Sequence, residues 1–84
     1  MERAIIENQI TNYIATEILE GDDDGLDAET PLLELGILNS MEVARLIAFL
    51  EEQFNTSILP NEVVASNLVN IRSIANLVDS HLTA

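Results

Sequence analysis

Apolar residues recur at helical spacing in three stretches of this chain, and the segments between them have no period. From Glu2 to Leu19, Ile6, Ile10, Tyr13, Ile14 and Ile18 fall on one face, with Glu2, Glu7, Asn12 and Glu17 elsewhere. This predicts a first helix, ended by Gly21. From Ser40 to Phe54, Val43, Leu46, Ile47, Leu50 and Phe54 repeat at helical spacing, opposite Glu42, Arg45, Glu51 and Glu52. Val43, Leu46, Leu50 and Phe54 are the predicted core positions of this second helix, which Asn55-Thr56-Ser57 stops. Ile71, Ile74, Ala75, Val78 and Leu82 line one face of a last helix.

The intervening segments are read from their breakers. Leu26 to Asn39 holds Leu26, Leu32, Leu33, Leu35, Ile37 and Leu38 among turn residues. It is predicted to be a long ordered loop lying across the helices and burying several of these side chains, with a short helical turn begun at Thr30-Pro31. A loop of this length in a small domain is usually functional. Ile58-Leu59-Pro60 is predicted extended, because the residue before proline avoids the helical region. Asn61 is then expected to cap a short third helix from Glu62 to about Ser66, with Asn67 to Asn70 as a link. One of Val63 and Val64 is expected in the core, and the pattern does not say which. The fold class expected is all-α: one domain over residues 1–84, a small four-helix bundle of three longer helices and one short, with a long first loop.

The junction between that loop and the second helix carries the most chemistry. Asn39 is a favoured N-cap residue, and Glu42 follows at the spacing of a capping box. Ser40 thus sits on the first turn, where free N–H groups and the helix dipole favour an anion, so a phosphate ester on its hydroxyl would be well placed. Gly36 supplies a hinge upstream, and Ile37, Leu38 and Met41 surround the serine with apolar bulk.

Charge narrows the classes of partner. Fifteen acidic residues stand against three arginines in 84 residues, for a net charge of -12. Such a chain repels nucleic acid and anionic membranes and attracts proteins with basic patches. There is no cysteine, so any thiol chemistry must come from an added group. No signal peptide and no apolar run of transmembrane length is visible, which leads to the expectation of a cytoplasmic protein, without membrane insertion and monomeric.

The run Gly36-Ile37-Leu38-Asn39-Ser40-Met41, followed by an amphipathic helix, resembles the modification motif of acyl and peptidyl carrier proteins. Length, acidity and helix order extend that resemblance over nearly the whole chain. The two residues between Gly36 and Asn39 make the motif most similar to D-alanyl carrier proteins and other free-standing carriers of amino acids or small acyl groups. The resemblance implies an acyl-carrier-like bundle whose Ser40 bears a 4'-phosphopantetheine arm ending in a thiol. It implies a phosphopantetheinyl transferase to attach the arm, and an adenylating ligase or acyltransferase to load a thioester on it. Downstream enzymes with basic docking surfaces would then use the cargo, and the carrier itself would catalyse nothing. Asn39, Met41, Glu42, Arg45 and Val64 are the expected contacts for these partners. The motif has one departure: Asn39 stands where the family usually has Asp, which keeps the cap but removes a charge beside the serine.

Other features point to less. If Gly25 took the sixth position of a calcium loop, Glu20, Asp22 and Asp24 would take the first, third and fifth, but Pro31 would fall where the bidentate Glu belongs. His81 is the only histidine; with Asp79 nearby and no nucleophile it forms no triad, and it has no second imidazole or thiolate for a metal. Tyr13 is expected in the core with its hydroxyl at the rim. The competing reading of the chain is an unmodified acidic helical interaction module, in which Ser40 would be dispensable.

Overall fold

The computed structural model describes residues 2–21 and 25–83, so the calcium-loop reading of Asp22 to Asp24 falls outside the described residues. Helix α1 runs Arg3–Tyr13 and continues into a π-helical turn, Ile14–Ile18. In that turn the hydrogen-bond register slips by one residue, and the Leu19 N–H donates to the Ile14 carbonyl at 2.9 Å. The helical stretch ends near the predicted place. Glu20 takes a left-handed φ of 54°, and the Gly21 N–H closes the end on the Ala15 carbonyl at 2.7 Å.

Helix α2 spans Ser40–Phe54 as expected. Its C-cap, Asn55, adopts the left-handed conformation that asparagine tolerates best among non-glycine residues. A 3-10 turn, Pro60–Glu62, follows; then come α3, Ala65–Leu68, and α4, Ile71–Thr83. Among the described residues the structure is helical with no strand, a small bundle of the expected class.

The core is assembled from all the elements. Ile6, Ile10 and Ile14 meet Leu46, Leu50 and Phe54 of α2 and Ile71, Ile74 and Val78 of α4. Leu32 and Leu38 of the long loop complete it, and both are buried. Full burial of one such aliphatic side chain contributes roughly 1.5–3 kcal/mol before entropy is counted. Val43 departs from expectation: it is half-buried, because it sits at the mouth of a groove described below.

The loop is ordered by its own backbone. The Leu32 N–H donates to the Val69 carbonyl at 2.8 Å, and the Arg72 N–H to the Ala28 carbonyl at 3.0 Å, tying the loop to the start of α4. After Pro31 the chain makes a hydrogen-bonded turn and not a helix: the Leu35 N–H reaches the Pro31 carbonyl at 3.0 Å, and the Ile37 N–H the Leu32 carbonyl at 2.9 Å. Gly36 has φ +75°, which lets the chain reverse and deliver Asn39 to the head of α2.

The third helix is not where the pattern placed it. Glu62 to Ser66 is not one helix capped by Asn61. A 3-10 turn ends at Glu62, Val63 and Val64 are non-helical, and α3 starts at Ala65 and takes in Asn67. Val64 has φ -128° and ψ 157°, an extended conformation that suits a β-branched residue. Val63 packs half-buried against the core and Val64 is the exposed member of the pair.

Candidate functional site at the head of α2

Ser40 is the first residue of α2 and is exposed. The Asn39 side-chain oxygen accepts the Glu42 N–H at 2.9 Å, and the Asn39 carbonyl accepts the Val43 N–H at 2.8 Å. The N–H groups of Ser40 and Met41 have no partner within the helix, as at any helix start. An oxyanion on the Ser40 oxygen would therefore lie at the positive end of α2.

The reciprocal half of the predicted capping box does not form. The Glu42 carboxylate turns along the helix to accept from Arg45 at 2.8 Å, and its side chain is only 17% exposed. Arg45 also reaches Glu17 of the π turn at 3.8 Å. The charge nearest the serine is thus largely neutralised by its own arginine. Glu51 is spent as well: its Oε2 accepts the Ile58 N–H at 2.9 Å and so anchors the segment after α2.

What lies open beside Ser40 is apolar. Met41 is 72% exposed and Val64 is 43% exposed. Between α2 and the Val63–Ala65 segment runs a groove of about 530 Å³, with Ser40 and Asn39 at its edge. Leu33, Leu38, Val43, Val63 and Leu68 are among its walls, and among the described residues no charged side chain lines it. An elongated, mostly uncharged chain attached to the serine would fit along it. Among the described residues, the lining holds no imidazole or amine beside the Ser40 hydroxyl.

The structure thus brings Asn39, Ser40 and Val64 to one groove, with Met41 exposed next to Ser40 and Glu42 and Arg45 tied to each other on the following turn. A second hollow, of about 470 Å³, opens beside the stacked rings of Tyr13 and Phe49, whose centroids are 4.2 Å apart, and shares no residue with the groove. Tyr13 is half-buried there, and burial raises its phenol above the ordinary 10.0. Sequence reasoning placed Leu38 beside the serine but missed Leu33 as a groove wall, because a segment without a period gives no sign of which leucine faces where.

Among the described residues, His81 has no nucleophile beside it. Its Nε2 meets Glu62 at 3.0 Å, while Asp79 lies 3.9 Å from Arg3. Among the described residues there is no cluster of side chains that could hold a metal ion, and no helix is long and apolar enough to cross a membrane.

Comparison with known proteins bears on this site. Residues 8–79 match the family model described as the phosphopantetheine attachment site. The chain is 38% identical over 74 residues, 88% of its length, to the "Probable acyl carrier protein PigG" of Serratia sp. (strain ATCC 39006), of which the match covers 85%. Among solved structures it resembles a chain from one described as the crystal structure of an FAD-dependent dehydrogenase, at a TM-score of 0.77 and 36% identity. That likeness covers 82% of this chain and 97% of the other, so the matched chain is of similar size. The edge built by Asn39 and Ser40 thus lies within the matched region, and the chain belongs to the phosphopantetheine attachment-site family: it is a non-catalytic carrier protein whose cofactor is a covalently attached 4'-phosphopantetheine.

Proposed function

We propose that Ser40 is the residue that carries the arm. The observation behind this is the placement of its hydroxyl, exposed on the first turn of α2 under the Asn39 cap and at the edge of an uncharged groove. The arm brings the thiol that this cysteine-free chain lacks, and on it the cargo is held as a thioester. The chain's own residues do the rest. Asn39 fixes the start of α2, the helix N-terminus favours the phosphodiester, and Val43, Val63 and Leu68 offer apolar contact along the groove.

The partners we propose are a phosphopantetheinyl transferase, an adenylating ligase or acyltransferase that loads the cargo, and an enzyme that acts on the loaded thioester. The description of the similar solved chain supports a flavin-dependent dehydrogenase as one class of that last enzyme. Docking combines two effects. The net charge of -12 speeds encounter with basic surfaces, and Met41 and Val64 supply the close apolar contact, since Glu42 is held by Arg45. The spacing of Gly36, Asn39 and Ser40 supports a small amino-acyl or acyl cargo.

The test is loading. Modified wild-type chain, supplied with its ligase, accumulates a hydroxylamine-sensitive thioester. Ser40→Ala, folded by circular dichroism, accumulates none. Equal loading of the two would move the attachment point elsewhere.

A further inference from the structure

The hollow beside Tyr13 and Phe49 has a chemistry of its own. Its floor is that stacked pair, one ring from α1 and one from α2, packed against the core yet only half-buried. Phe54, which is buried, meets the Phe49 ring edge-on with centroids 6.5 Å apart, so the pair is braced from the core. The rim offers acceptors. The Thr16 hydroxyl gives its hydrogen to the Asn12 carbonyl at 2.7 Å and keeps only lone pairs. The Gln53 amide donates to the Gln9 Oε1 at 2.7 Å, which leaves the Gln53 carbonyl oxygen to accept. Glu17 adds a carboxylate, the one charged side chain in the lining among the described residues. It is 55% exposed, and its 3.8 Å contact with Arg45 is long beside the 2.8 Å that joins Arg45 to Glu42. Glu17 is thus loosely held and open to a second cation. Thr16 and Glu17 belong to the π-helical turn Ile14–Ile18, and turns of that kind are frequent at functional sites.

We propose that this hollow is a docking site for an arginine side chain of a basic partner protein, stacked on the Tyr13–Phe49 pair and paired with Glu17. The chemistry of the hollow selects that group. Aromatic faces attract a cation through their quadrupole, and a planar guanidinium stacks on them where a compact ammonium does not. A guanidinium carries N–H donors and no acceptor, which suits a rim of lone pairs. A carboxylate takes such donors side by side. The net charge of -12 draws a basic partner to the chain. A neutral apolar segment would strip water from Glu17 and return no hydrogen bond to it. A second copy of this chain is equally acidic, and like charge opposes its approach. The hollow shares no residue with the Ser40 groove, so an arginine seated in it leaves the serine free. The site is therefore an anchor that holds a partner on α1 and α2 while the groove is in use.

The test uses the unmodified full chain at fixed ionic strength. The probe is N-acetyl-arginine amide, and N-acetyl-lysine amide is the control of equal charge. Nuclear magnetic resonance follows the Gln9 and Gln53 side-chain amides and the Phe49 ring. Tyr13 is the only tyrosine and there is no tryptophan, so tyrosine fluorescence reports on the hollow alone. The arginine probe should move these signals along a saturable curve and bind about two- to fivefold more tightly than the lysine probe. Glu17→Gln should weaken arginine binding about two- to fivefold, and Arg45→Gln, which frees Glu17, should tighten it. Phe49→Leu, folded by circular dichroism, should lose the preference for arginine over lysine; if it does not fold, the Glu17 and Arg45 variants decide. Signals that do not saturate, equal affinity for the two probes, or binding indifferent to Glu17→Gln would overturn the proposal. So would signals that shift with chain concentration alone, since a second copy would then cover the hollow. No readout passes through Ser40, so failure of this site is distinct from failure of the serine assignment.

Discussion

Removing the cap of α2 by Asn39→Ala isolates the interaction that places Ser40. The side chain makes one hydrogen bond, from the Glu42 N–H at 2.9 Å, and it is exposed, so no core packing is lost with it. Replacing an Asn cap by Ala costs about 1 kcal/mol, within a range of 0.5–2. For a domain of 84 residues each kcal/mol lowers the melting temperature by about 4–8 °C. The variant should therefore melt about 4–8 °C below wild type in a thermal scan followed by circular dichroism. Asn39→Asp keeps the acceptor and adds a charge at the positive end of the helix, worth about 0.3–1 kcal/mol, partly offset by Glu42 one turn on. It should melt at or above the wild-type temperature and be modified faster by the transferase. The reasoning fails if Asn39→Ala melts within about 1 °C of wild type, or if Asn39→Asp melts as low as the alanine variant, since capping would then not hold this turn.

Further outcomes follow from the same contacts. Leu50 is fully buried between helices, so Leu50→Ala should cost about 2–5 kcal/mol in a urea titration, a large share of what a domain this small has. The Leu59 N–H, donated to the Glu62 carboxylate at 2.9 Å, holds that carboxyl below its ordinary range, so the unfolded chain takes up its proton first. Its stabilising effect is full above about pH 4.5 and lost as pH falls through the folded value. The difference in urea midpoint between wild type and Glu62→Gln should accordingly shrink as the solution is acidified, and a difference independent of pH would contradict this. Met41→Glu, at a side chain 72% exposed, should leave the melting temperature nearly unchanged and raise the KM of the transferase and the loading enzyme.

Much of this architecture was legible in the residue pattern, for identifiable reasons. The three longer helices announce themselves because their core positions repeat at the helical period, and Asn39 marks the start of α2 because its side chain bonds within one turn. The failures involve partners that the residue pattern does not pair. Val63 and Val64 look like a helix start, yet Val64 is held extended after a knot formed by Glu62 and by His81, 19 positions away. Glu42 has the spacing of a capping box but faces Arg45, which also reaches Glu17 across to the first helical stretch. The acidic face of α2 is smaller than its sequence suggests, because Glu51 is used to anchor Ile58. The slip into π register at Ile14 leaves the apolar spacing nearly intact and so gives no signal in the pattern.

The central claim is that Ser40 bears the arm, and intact-protein mass spectrometry tests it most directly. Wild-type chain and Ser40→Ala are each incubated with coenzyme A and a broad-range phosphopantetheinyl transferase. The account predicts a gain of one phosphopantetheine in the wild type, mapped by fragmentation to Ser40, and no gain in the variant. The same gain in Ser40→Ala, or an arm mapped to another residue, would contradict it.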